Sequence, residues 1–116
     1  MSIADIRNHS LGTLTMVSTT TVVSTPLKLQ QSKCLAVQAV WSGTPVGNFK
    51  LQISCDSYDT NPANWVDLAS TTVAAGGAVG SHIYNITDAG YGWVRVSYTN
   101  SSGDGSAEIR ATVKGV

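Results

Sequence analysis

Residues 91–114 constrain the fold of this chain most, because hydrophobic and polar side chains alternate there on both sides of a glycine-rich break. The hydrophobic positions are Val94, Val96 and Tyr98 before the break, and Ala107, Ile109, Ala111 and Val113 after it. A period of two is typical of half-buried antiparallel strands. We therefore predict a hairpin here. A two-stranded ribbon is unstable alone in water, so the hairpin requires more strands and a second layer.

The predicted register of this hairpin sets Val96 opposite Ile109, which places every hydrophobic side chain of both strands on one face. A slip of one residue would expose that face to water. The same register brings Arg95 diagonal to Glu108, within reach of a weak cross-strand ion pair. Trp93 and Arg95 are then predicted to lie together on the outer face.

Two further strands are predicted at Cys34–Trp41 and Asn48–Asp56, joined by a turn at Ser42–Gly47. Together with the two hairpin strands, strands at Trp65–Thr72 and Ser81–Ile86, one or two in Thr13–Thr25 and up to one starting at Leu27–Leu29, they give seven to nine short strands. This pattern predicts an all-β fold, an antiparallel β-sandwich or jelly roll. Within a single domain, we assign residues 1–33 to an N-terminal arm with the first strand or strands, and residues 34–116 to the sandwich body.

Two registers compete for the pair of strands around Ser42–Gly47. One sets Cys34 opposite Cys55 and would allow a cross-strand disulfide. The other sets Trp41 opposite Phe49 and gathers the apolar residues on one face, so we favour it. We expect both cysteines to be buried and reduced, since the N-terminus lacks the hydrophobic region of a signal peptide.

The charge of the chain is low, with 12% charged residues and a formal net charge of zero. Binding to nucleic acid through phosphate neutralisation is therefore not expected. No polybasic segment or 18-residue apolar run is present, so we expect no membrane insertion. Soluble domains usually carry about twice this charged fraction, which suggests that other subunits cover much of the surface.

No catalytic constellation is recognisable. His9 and His82 are the only histidines, and the chain has no Gly-x-Ser-x-Gly motif. We therefore predict that the protein is not an enzyme and that it uses no cofactor. Asp56 and Asp59 allow two interpretations, oxygen ligands for calcium or side chains that cap turns by bonding nearby backbone groups. We favour the second.

Three aromatic residues and one arginine are the candidate interaction residues: Trp93, Arg95, Trp65 and Tyr58. Exposed aromatic rings on a β-sandwich can stack on sugars, whereas Trp41 and Tyr98 are expected in the core. An outward Trp93 beside Arg95 more often marks a subunit contact or a second buried face than a sugar platform, and aromatic and arginine side chains are enriched in interfaces.

Four segments carry a resemblance to a known group of proteins: Val37–Asp56, Asn64–Leu68, Tyr91–Ser106 and Val113–Gly115. Together they resemble small virion proteins encoded by tailed bacteriophages. The resemblance implies a non-enzymatic β-sandwich component of the virion, either a capsid decoration protein or a tail or adaptor protein. Such a component would act by self-association and by docking to other virion proteins. Because the N-terminus lacks the hydrophobic region of a signal peptide, we expect assembly in the host cytoplasm.

A second resemblance involves Ser54, Asp56 and Trp65, which are similar to an element of discoidin-type and sugar-binding sandwiches. It implies the alternative function of a carbohydrate-binding module that attaches to a cell-surface glycan.

Overall fold

The computed structural model describes residues 6–29, 32–56, 62–87 and 92–115. These ranges form ten strands and no helix, and therefore contain no helix that could cross a membrane. The strands are β1 (Ile6–Met16), β2 (Thr21–Val23), β3 (Leu27–Lys28), β4 (Ser32–Gly43), β5 (Val46–Ser54), β6 (Val66–Asp67), β7 (Val73–Ala74), β8 (Gly80–Ile86), β9 (Trp93–Ser102) and β10 (Gly105–Gly115). The predicted all-β fold is confirmed.

The strands form two sheets whose described pairings are all antiparallel. The first sheet has the order β1-β10-β4-β8. The second sheet has the order β2-β9-β5-β6, with β3 also paired to β9 and β7 to β5. The sheets pack face to face as a sandwich, so each has an inner face in the core and an outer face directed away from it.

Three aromatic rings connect the two sheets through the core. Phe49 on β5 lies with its ring centroid 4.8 Å from that of Trp41 on β4 and 4.5 Å from that of Tyr98 on β9. All three are buried, as predicted for Trp41 and Tyr98. The Trp41 indole N–H donates to the carbonyl oxygens of Ala75 and Ala78 at 3.2 and 3.0 Å, so its burial leaves no polar atom unpaired. Burial of each such side chain contributes about 1.5–3 kcal/mol.

The predicted hairpin at residues 91–114 is wrong, because its two strands lie in different sheets. Val96 on β9 pairs with Leu51, and Ile109 on β10 pairs with Ala39. The chain crosses between the sheets at residues 103–104, where Gly103 adopts a φ of 72°. The apolar faces of both strands are buried as expected. They face each other across the core, however, instead of lying side by side in one sheet.

The predicted pairing of β4 with β5 is wrong for the same reason. Trp41 pairs with Ala107 in the first sheet, and Phe49 pairs with Tyr98 in the second. The connection at residues 44–45 carries the chain across the sandwich, with Pro45 buried. Both cysteines are free, as expected, but only Cys34 is partly buried. Cys55 is exposed because β5 ends at Ser54, one residue before it.

The predicted strand at Trp65–Thr72 is reduced to the two residues of β6. A turn follows, in which Ser70 adopts a φ of 64° and the Thr71 hydroxyl donates to the carbonyl oxygen of Leu68 at 2.7 Å. The same hydroxyl accepts from the backbone N–H of Leu51, so the turn is anchored to β5. This local side-chain bonding ends the strand.

The described part of residues 1–33, which were assigned to an N-terminal arm with the first strand or strands, contributes to both sheets. β1 is an edge strand of the first sheet and pairs with β10 along its length. β2 and β3 lie at an edge of the second sheet against β9. The Thr- and Val-rich residues Thr21–Val23 therefore pair within their own chain.

Candidate interaction surface

The outer face of the second sheet brings together two of the candidate interaction residues. Val94, Val96 and Tyr98 belong to the hydrophobic core, so Trp93 and Arg95 extend from the opposite side of β9. Arg95 pairs with Gln52 on β5, which in turn pairs with Asp67 on β6. Trp65 immediately precedes β6 and lies over Arg95.

Arg95 is held by two partners. Its guanidinium carbon lies 4.3 Å from the centroid of the Trp65 ring, in a cation–π arrangement. Its Nε donates to Gln52 Oε1 at 2.8 Å. Partial burial lowers the pKa of Arg95, but a guanidinium stays protonated at any physiological pH. The side chain is therefore a charged group with a restricted orientation.

The contacts continue from Arg95 across the sheet. Gln52 Nε2 donates to Asp67 Oδ1 at 3.0 Å, and Lys50 Nζ donates to Asp67 Oδ2 at 2.8 Å. Hydrogen bonds from Lys50 and then Gln52 hold the pKa of Asp67 below its ordinary value of 3.8. We call this set the Trp65–Arg95 network; its members are Trp65, Arg95, Gln52, Asp67 and Lys50.

The loop before Trp65 is shaped by Asp56. Its Oδ2 accepts from the backbone N–H groups of Ala63 and Asn64 at 3.0 and 2.9 Å. Asp56 thus caps this loop, as the favoured interpretation of the carboxylate holds. The Trp65 indole N–H donates to the carbonyl oxygen of Pro62 at 3.2 Å. These bonds restrict the ring to the position in which it contacts Arg95.

Two other candidate residues do not join the network. Trp93 is 7% exposed although it lies outside the hydrophobic core, and Lys28 Nζ lies 5.8 Å from its ring centroid. Tyr58 falls outside the described residues, as does Asp59. Within the described ranges, no group of three His, Cys, Asp or Glu side chains is arranged to hold a metal ion.

The outer face of the first sheet carries polar side chains together with the exposed Val40 and Ile83. A shallow depression of about 380 Å³ on it is lined by residues of all four strands, among them His9, Gln38, Ile83 and Arg110. Glu108 forms an ion pair with Arg110, so the predicted pairing of Glu108 with Arg95 is wrong. Glu108 and Arg95 belong to different sheets, so their side chains lie on the two opposite outer faces of the sandwich.

His82 lies on the inner face of β8, with its ring 4.6 Å from that of Tyr84 in an edge-on arrangement. Tyr84 is 6% exposed, and burial raises the pKa of its hydroxyl to about 12. The two rings line a groove between β8 and the turn at Leu68–Thr71.

Sequence reasoning named Trp65 and Arg95 but did not place them together, and it missed Lys50, Gln52 and Asp67. In the sequence, Lys50 and Gln52 alternate with Phe49, Leu51 and Ile53, so the pattern alone assigns them to the polar face of β5. The missing information was that β5 lies between β9 and β6, because this pairing brings the five side chains into contact.

Comparisons of the fold point to proteins of phage origin. The PBSX exported protein XepA superimposes with a TM-score of 0.61 and 14% identity, over 95% of this chain and 37% of XepA. The SPBc2 prophage-derived protein YomS gives 0.55 and 13%, over 98% of this chain and 96% of YomS. A chain from the structure of infectious bursal disease virus Gt strain gives 0.58 and 9%, over 97% of this chain and 32% of that chain.

The chain shares its sandwich fold with phage-derived proteins. It spans little more than a third of the length of XepA and nearly all of YomS. The sequence itself matches no protein-family model and no curated protein.

Proposed function

We propose that this protein is a non-enzymatic structural component of a phage virion, a capsid decoration or tail-associated protein. It acts by self-association and by docking to other virion proteins. The likeness of its fold to XepA and YomS supports this proposal, as does the fold shared with the viral chain. The Trp65–Arg95 network is the observation that carries it.

The network has the composition of a docking site. Tryptophan and arginine are the residue types that dominate binding energy at protein interfaces, since each contributes a large contact area and specific polar bonds. Arg95 is already oriented by Trp65 and Gln52, so a partner would bind it with little further loss of side-chain entropy. Asp67 and Lys50 form the polar border that such sites usually have.

The alternative, a carbohydrate-binding module, has less support in the geometry. A sugar platform needs an open aromatic face. Trp93 is almost fully covered, and Arg95 lies over the Trp65 ring. A glycan would have to displace the arginine before it could stack there.

The proposal is tested on purified particles of the phage that encodes the chain. Particles are made with the wild-type protein, with Arg95→Ala, or with Arg110→Ala, and the amount of the chain per particle is measured by quantitative mass spectrometry. Arg110 is a matched control, because it is an ion-paired arginine on the outer face of the first sheet. We expect wild-type and Arg110→Ala protein in particles, and at least about tenfold less of Arg95→Ala. Particles that lack the wild-type chain would refute the proposal.

A further inference from the structure

The four edges of the two sheets differ in how they are protected against pairing with another chain. The second sheet ends in β2 and β3 on one side and in β6 and β7 on the other, and these strands have only two or three residues each. Very short edge strands offer too few free backbone groups to pair stably with another strand. The long edges of the sandwich are therefore β1 and β8, both in the first sheet.

β1 is a protected edge. Its pairing with β10 shifts register between Ser10 and Thr13, and Gly12 in this bulge adopts a φ of 92°. The carbonyl oxygen of Leu11 accepts from the backbone N–H of Thr25 at 2.9 Å, so the following segment crosses this edge. A bulge and a covering segment are two of the devices by which proteins block edge pairing.

Among the described residues, β8 shows neither a bulge nor a segment that pairs across its free edge. Its seven residues, Gly80–Ile86, pair with β4 without a register shift, and no described strand pairs with its other side. It contains no Lys, Arg, Asp, Glu or Pro, the residues that usually protect an edge. Ile83 at its centre is 53% exposed on the outer face. A regular, uncharged edge with an exposed isoleucine is suited to accept another strand.

The sequence of β8 indicates which strand that is. Residues 81–85 read Ser-His-Ile-Tyr-Asn, which is symmetric in chemical type about Ile83. In an antiparallel pair centred on Ile83, Ser81 lies opposite the partner's Asn85, and His82 lies opposite the partner's Tyr84. The Ser81 hydroxyl then lies beside the side-chain amide of the partner's Asn85, and the His82 ring lies beside the ring of the partner's Tyr84. At the centre, Ile83 packs against the partner's Ile83. Because a two-fold interface must match itself, this symmetry fits a second copy of the same chain.

The groove beside β8 supplies an independent observation. It has a volume of about 460 Å³ and runs between β8 and Leu68–Thr71. Tyr84 lines it, and among the described residues the Tyr84 hydroxyl is the buried side-chain polar atom that has no hydrogen-bond partner. A buried hydroxyl without a hydrogen-bond partner destabilises the structure that contains it. The proposed pairing would place the imidazole of the partner's His82, a hydrogen-bonding group, opposite Tyr84.

We propose that two copies of this chain associate through antiparallel pairing of β8 with β8 about a two-fold axis at Ile83, so that their first sheets form one continuous eight-stranded sheet. This inference rests on the proposed function, because it specifies the surface used for self-association. A seven-residue edge buries less than the roughly 1,600 Å² of a standard interface, so we expect micromolar or weaker affinity in solution. Many copies on one particle would strengthen it through their high local concentration.

The test uses sedimentation equilibrium of the full chain from low micromolar to millimolar concentration. We expect the wild type to pass from a monomer of 12.1 kDa to a dimer. Ile83→Lys and Ile83→Glu each place two like charges on the axis, so each variant alone should dimerise at least about tenfold more weakly. The control is Val40→Lys. Val40 is exposed on the same outer face, but its strand β4 lies between β10 and β8 and is not at the edge of the sheet, so this variant should dimerise like the wild type.

The decisive sample is an equimolar mixture of Ile83→Lys and Ile83→Glu. A two-fold axis at residue 83 brings the lysine beside the glutamate, so the mixture should recover association that neither variant shows alone. Recovery also shows that both variants are folded. The inference is overturned if the mixture stays monomeric, if Ile83→Lys dimerises like the wild type, or if the wild type stays a monomer or forms rings of three or more subunits.

These outcomes separate the inference from the proposed function. A chain that is present in particles but monomeric in solution contradicts the β8 pairing and leaves the virion role intact. A chain that dimerises through β8 but is missing from particles contradicts the virion role and leaves the pairing intact.

Discussion

The guanidinium of Arg95 lies over the ring of Trp65, 4.3 Å from its centroid, while Arg95 Nε donates to Gln52. One side chain thus joins a loop residue to two strands of the second sheet. The contact is local in space but links parts of the chain 30 and 43 positions apart. The contribution of this contact to the free energy of unfolding can be measured without a binding partner.

Arg95→Ala should lower the free energy of unfolding by about 1–2 kcal/mol, because it removes a cation–π contact of about 0.5–1 kcal/mol and a hydrogen bond of about 1 kcal/mol. Arg95→Lys keeps the charge but loses the planar group and should recover less than half of the loss. Urea unfolding measures these differences. Arg110→Ala, which removes an exposed ion pair, should cost less than about 0.5 kcal/mol. Equal losses for Arg95→Ala and Arg110→Ala would show that the network adds nothing to stability.

Asn100 connects two turns and should be one of the most sensitive polar positions. It is 2% exposed, its Nδ2 donates to the carbonyl oxygens of Ser18 and Gly103 at 2.7 and 3.0 Å, and its Oδ1 accepts from the Tyr98 hydroxyl at 2.8 Å. Asn100→Ala leaves these three groups without a partner and should destabilise by about 2–4 kcal/mol. Tyr98→Phe removes one of the three bonds and should cost about 1 kcal/mol. A larger loss for Tyr98→Phe in chemical denaturation would contradict this role of Asn100.

Gly103 is required at the crossover between the sheets for two separable reasons. Its φ of 72° disfavours any other residue, and a Cβ there would overlap the carbonyl oxygen of Thr44. Gly76 has a similar φ of 79° but open space around it. Gly76→Ala should therefore cost about 1–2 kcal/mol through the backbone alone, and Gly103→Ala clearly more. Thermal unfolding of the two variants measures the cost of the steric overlap at Gly103 as the difference between their melting temperatures. Equal melting temperatures would exclude such a cost.

The pH dependence of stability should carry a contribution from Asp67. Its folded pKa is lowered, so the unfolded chain binds more protons in the acidic range and stability rises with pH there. The contribution is complete above the ordinary pKa of 3.8 and is lost as the pH falls through the folded pKa. Asp67→Asn should be less stable than the wild type at pH 7, and the gap should close in strong acid. A gap that is constant down to pH 2 would mean that the carboxylate charge plays no part.

The alternation of side chains predicts strands and buried faces well in this chain, but not the neighbours of each strand. Val96 and Ile109 were expected on one buried face and are both buried. A period of two indicates only which side of a strand faces the core. Two strands with this pattern can bury their apolar sides as neighbours in one sheet or as members of the two facing sheets. In this chain the two strands lie in facing sheets on either side of the crossover at Gly103, and Asn100 connects that crossover to Ser18, 82 positions away in the sequence.

The sequence likewise predicts some residues of the candidate surface but not their contacts. Residue type alone marked Trp65 and Arg95 as interaction residues. Their contact depends on the loop capped by Asp56 and on the pairing of β5 with both β9 and β6, which the local pattern does not specify. Trp93 was expected on the outer face of its strand and lies outside the core there, but it is covered.

The proposed virion role is tested by electron cryomicroscopy of purified phage particles that are produced together with this chain. We expect repeated density for this two-sheet body on the capsid or tail, with the outer face of the second sheet, centred on Arg95, against another virion protein. Particles without this density, or with that face directed into solvent in every copy, would contradict it.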